Sequence, residues 1–146
     1  MNRRRLVAAS RHPSWRRSPR RRGVAAVEFA IVAPLFFLLI IGIIEIGRAM
    51  MVQQVLINAS RVGARRAITL SSSEQAVTDA VTEYANGVGI SGLSVEVSPD
   101  PAAAAAGQAI TVDVEIDFQE VSWMPAPWFM GGKQLGASSV MRKEGF

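Results

Sequence analysis

Residues 24–44 read VAAVEFAIVAPLFFLLIIGII, 21 residues in which Glu28 is the only charge. A helix rises about 1.5 Å per residue, so this stretch covers roughly 30 Å, the hydrocarbon thickness of a bilayer. A soluble protein would have to wrap an all-round apolar helix of that length completely. The chain after Ser71 is too short to do so and still fold a core of its own. The segment therefore reads as a transmembrane helix, and everything else in the chain is arranged around it.

Upstream of it, nine arginines precede Gly23 and no acid does: Arg3, Arg4, Arg5, Arg11, Arg16, Arg17, Arg20, Arg21 and Arg22. The formal charge of +4 comes entirely from this leader, because downstream seven cations face twelve acids. Just after the apolar run, Glu45 and Arg48 nearly cancel. The positive-inside bias places residues 1–23 in the cytoplasm and the C-terminal part of the chain outside it. A cleaved signal peptide fits poorly. The apolar run is longer than such a segment needs, and Glu45-Ile46-Gly47-Arg48-Ala49-Met50 lacks a small-x-small cleavage site.

Composition excludes much chemistry. With no cysteine there is neither a disulfide framework nor a thiolate metal site. The single histidine, His12, lies in the leader, so no His-based triad or zinc site can be built in the body. No glycine-rich phosphate loop is present. Asp113, Glu115 and Asp117 alternate along a strand as an ordinary wet face and carry no calcium-loop glycine. The arginines could bind phosphate, but beside a membrane span topology explains them without nucleic acid. The expectation is a non-enzymatic protein without cofactor, metal, nucleic acid or small-molecule substrate.

Glu28 requires a reason of its own. A carboxylate inside a spanning helix costs roughly 2.5–3.5 kcal/mol even on lenient scales. Either it lies close enough to the cytoplasmic face to reach the interface, or it meets a partner. Arg-Arg-Gly23, then Val24-Ala25-Ala26-Val27-Glu28-Phe29, then an apolar run containing Pro34, resembles a prepilin cleavage site. The longer stretch from Gly23 to Ile68 is similar to the conserved segment of the TadE family. Its marks are the Gly–Glu–Phe spacing, Pro34, Glu45 at the end of the span, and Asn58-Ala59-Ser60-Arg61 followed by Gly63-Ala64-Arg65. Members of that family are pseudopilin-like proteins of the Tad (Flp pilus, tight-adherence) secretion system.

The resemblance implies a minor pilin or pilus-assembly component of the bacterial inner membrane. It implies cleavage by a prepilin peptidase between Gly23 and Val24, a pairing role for Glu28 and Phe29 with other pilin-like subunits, and a kink at Pro34. The alternative is an uncleaved single-pass anchor carrying an exported domain of unrelated binding function.

The rest predicts an α+β fold. The helix is expected to extend through residues 45–70, with Ile46, Met50, Ile57, Ala64 and Ile68 on one face and Arg61, Arg65 and Arg66 on the other. Ala59, Gly63 and Ala67 form a small-residue row that permits close approach of another helix or of the sheet, whether within its own domain or at a subunit contact. Residues 71–146 then form a small extracytoplasmic domain. Ser71-x-x-Glu74 reads as a capping box for a second helix with Val77, Ala80, Val81, Tyr84 and Val88 as its apolar stripe, stopped by Asn86-Gly87. Leu93, Val95 and Val97 mark a short strand, Ile110 to Phe118 a long alternating one, and Leu135 to Lys143 its returning neighbour. Together they make a mainly antiparallel sheet of about three strands. Trp123 to Gly132 reads as an aromatic, proline-bound loop that plugs the core, binds a partner or touches the outer membrane surface.

Overall fold

The computed structural model describes residues 20–122 and 132–145. The leader before Arg20 and the aromatic loop from Trp123 to Gly131 lie outside the described residues. The fold is α+β: α1 (Arg20–Ala67), α2 (Glu74–Gly87), β1 (Ser94–Ser98), β2 (Ala109–Asp117), α3 (Phe118–Val121) and β3 (Gln134–Arg142). Two compact units divide the chain, residues 1–38 and residues 39–146.

In the first unit the described residues are helical, and from Gly23 onward nearly all are exposed. The described part of helix α1 begins at Arg20. Arginine is a good helix former, and a lone glycine at position 23 costs only about 1 kcal/mol. The helix also runs through Pro34. Proline there removes one backbone hydrogen bond to the preceding turn.

The second unit is two layers, with α1 and α2 covering one face of a three-stranded sheet ordered β1-β2-β3. Both strand pairs are antiparallel, as expected, with Val97 opposite Val112 and Ile116 opposite Leu135. Alternation along β2 turns Ile110, Val112, Val114 and Ile116 into the core. In its other row Ala109, Glu115 and Asp117 are exposed, while Thr111 and Asp113 are half-buried. The strand ends at Asp117, one residue short of the expected boundary. Phe118 instead opens the short helix α3 while remaining fully buried.

Three further expectations need correction. The outer part of α1 buries Ala49, Val52, Leu56, Ala59, Ser60, Ala64 and Ala67, whereas Ile46 and Met50 are exposed. The hydrophobic pattern misled because large residues lie on both sides of this helix and the sheet takes the side rich in small ones. The helix ends at Ala67, and residues 68–71 form turns before α2. The N-cap of α2 is Ser73, whose side chain accepts from the Ala76 amide at 3.3 Å, so Glu74 is the first helical residue.

At its other end α2 closes with paired bonds, Ile90 N to Ala85 O at 2.9 Å and Gly89 N to Asn86 O at 3.0 Å. Gly89 has φ +78°, the left-handed conformation this closure demands. The closure sends Ile90 into the core and leaves Val88 half exposed outside it. The apolar stripe is therefore Val77, Val81 and Ala85 at four-residue spacing, with Ala80 and Tyr84 half-buried beside it.

Candidate functional site

The residues singled out by the sequence fall into two groups, one in each unit. In the first unit Gly23, Val24, Glu28, Phe29 and Pro34 all lie on α1. Val24 is 58% and Phe29 72% exposed, and Glu28 is exposed as well. The apolar run around them has a mean hydropathy of 2.7 with only 6% of its residues buried. A core helix of a soluble domain would be mostly covered. This helix is long and apolar enough to cross a membrane, and it offers nearly all its surface to whatever surrounds it.

In the second unit Ala59, Gly63 and Ala67 are buried within the domain's own core. At Gly63 the row packs within its own domain, against α2 and the sheet. A Cβ placed on Gly63 would come within 2.7 Å of Val81 Cγ2 and 2.9 Å of Val112 Cγ1. Glycine at 63 is thus what lets α1, α2 and β2 meet at one point.

Polar side chains fix the outer part of α1 along β3 and α3. Gln53 Nε2 donates to the Gly136 carbonyl at 2.8 Å, and the Ser60 and Ser139 hydroxyls are 2.8 Å apart. Seven helical residues rise about 10.5 Å and three strand residues about 10 Å, so α1 and β3 advance together. At the end of this section nearest the apolar run, Ser122 Oγ donates to Glu45 Oε1 at 2.8 Å, and Arg48 Nε donates to the Val121 carbonyl. Glu45 is only 9% exposed.

The sequence marks Glu45 as part of the TadE resemblance and, with Arg48, as a nearly cancelling pair of charges. Their contacts to the end of α3 were not foreseeable, since Ser122 lies 77 residues away. The signal that could have pointed to Glu45 was a carboxylate directly following an apolar run, where an unpartnered charge is costly.

Among the described residues no group of three acidic or histidine side chains could hold a metal ion. What the site offers is an exposed apolar helix bearing one carboxylate, joined to a polar-stitched junction at Glu45.

No curated protein and no solved structure matches the chain. A family match covers the helix and its junction: residues 23–65, from Gly23 through Glu28, Pro34 and Glu45 to Gly63 and Arg65, match the family described as TadE-like protein.

Proposed function

We propose that the chain is a membrane-anchored, non-enzymatic, pilin-like component of a Tad (Flp) pilus assembly or secretion system. The observation that carries this reading is the family match, which begins at Gly23 and so starts where the arginine leader ends and the apolar helix begins. Before processing, the helix anchors the chain in the bacterial inner membrane with the arginine leader in the cytoplasm and residues 71–146 outside. A prepilin peptidase then cuts between Gly23 and Val24, leaving Glu28 as the fifth residue of the mature chain. The released α-ammonium of one pilin-like subunit would meet the Glu28 carboxylate of its neighbour, which removes an uncompensated charge from the apolar phase. Gly23 lies in the first turn of α1. Cleavage therefore requires that turn to fray, which helix ends do readily.

Intact mass and N-terminal sequencing of the protein from native membranes test this. A chain beginning at Val24 is the expected result. An intact leader would leave a single-pass anchor carrying an exported domain, and a start beyond Ile44 would mean an ordinary signal peptide.

A further inference from the structure

On the side of α1 facing away from the sheet, apolar character outlasts the first charges. Glu45 and Arg48 both turn toward the end of α3, where Ser122 Oγ and the Val121 carbonyl receive them. On the opposite side Ile43, Ile46 and Met50 are 61%, 57% and 67% exposed, with Met51 beside them at 51%. The next residues on that side are Gln54, Asn58 and Arg61, all exposed. Helical spacing puts these residues on one stripe. Its change from apolar to polar falls between Met51 and Gln54.

We infer that the bilayer covers this face as far as Met50 and Met51, roughly 9 Å beyond Glu45, while the end of α3 keeps lipid away from Glu45 and Arg48. The inference rests on the membrane anchoring of the helix and is independent of the pilus assignment.

Three observations favour lipid as the occupant. The stripe is continuous with the exposed apolar residues of 39–44, so no polar collar separates it from the span. Residues 29–51 as a helix measure about 34 Å, which fits the hydrocarbon and the start of the interfacial layer. The side chains also suit acyl chains. Close helix–helix approach in membranes favours small residues. Gly47 is the one small residue on this stripe, among Ile43, Ile46, Met50 and Met51, while Ala49, Ala59 and Gly63 are turned into the core. A second copy of the chain is the competing occupant.

The absence of cysteine makes the test direct. Phe37→Cys, Ile46→Cys, Met50→Cys and Arg61→Cys in the full chain each alter an exposed position. Each is nitroxide-labelled and reconstituted in vesicles of phosphatidylcholine and phosphatidylglycerol. Relaxation by oxygen and by a water-soluble nickel complex then reports depth. The expected result is oxygen-dominated relaxation at 37, 46 and 50, and nickel-dominated relaxation at 61. Nickel access at 50 with lipid contact at 37 would overturn the inference while leaving the anchor intact. Nickel access at 37 would remove the anchor itself, and the inference with it. Dipolar broadening at 46 and 50 that vanishes on dilution with unlabelled chain would assign the stripe to a second copy and overturn the lipid reading.

Discussion

Ser122 Oγ donates a 2.8 Å hydrogen bond to Glu45 Oε1, joining the end of α3 to the turn of α1 that follows the apolar run. Glu45 is 9% exposed, and the Ser122 hydroxyl supplies its carboxylate with a donor in place of water. A hydrogen bond to a charged group contributes about 1.5–3 kcal/mol, and losing it from a buried carboxylate costs at least as much as it contributed. Ser122→Ala should therefore lower the stability of the second unit by about 1.5–3 kcal/mol. Hydrogen exchange of the β2 amides in the detergent-solubilised chain reads this directly. Unchanged protection would mean that solvent or another donor replaces the hydroxyl.

Gly63→Ala places two effects in opposition. Removing a mid-helix glycine favours the helix by about 0.5–1 kcal/mol. The added Cβ would lie 2.7 Å from Val81 Cγ2 and 2.9 Å from Val112 Cγ1. Valine is stiff about χ1 and both residues are fully buried, so neither can swing aside cheaply. Overpacking of this kind costs about 1–3 kcal/mol and outweighs the propensity gain. The expected net loss is about 1 kcal/mol, a several-fold fall in amide protection across β2. A gain in stability would show that the α1–α2 spacing relaxes freely.

These two positions mark what the sequence could and could not reveal. The apolar run announces its element by length and the alternation from Ile110 to Ile116 by period, because a bilayer-length helix and a half-buried strand leave few other readings. The small-residue row was legible as a close approach, but both a neighbouring helix and the domain's own sheet require small residues, and only the fold brings Val81 and Val112 to Gly63. The cap of α2 was misread because Ser71, Ser72 and Ser73 are adjacent candidates and backbone geometry selects among them. Ile90 was missed because its burial follows from the left-handed turn at Gly89 and not from helical spacing. The Glu45–Ser122 bond was hidden for a different reason, since it joins residues whose proximity depends on every element between them.

Phe118→Ala should be the most damaging single truncation in the second unit. Phe118 is fully buried where β2 passes into α3, and truncating a core phenylalanine costs about 3–5 kcal/mol. Native domains are stable by only about 5–15 kcal/mol, so the variant should melt well below the parent. Val140→Ala is the matched control. Val140 is 60% exposed on β3, and its truncation should stay within about 0.5 kcal/mol. Equal effects from the two would contradict the placement of the core on the helix-covered face of the sheet.

Glu28→Ala separates insertion from assembly. Glu28 is exposed on a helix whose surroundings are otherwise apolar. Losing the carboxylate makes insertion more favourable, by at most about 2.5–3.5 kcal/mol, because the group lies near one end of the span. Membrane fractionation should therefore recover the variant as fully as the parent. If the carboxylate meets the α-ammonium of a neighbouring subunit, the same variant should lose co-purification with pilin-like partners. Glu28→Asp should restore part of it, since the charge survives on a side chain one methylene shorter. Normal assembly of Glu28→Ala would remove the pairing role and leave Glu28 as an interfacial residue held near the cytoplasmic headgroups.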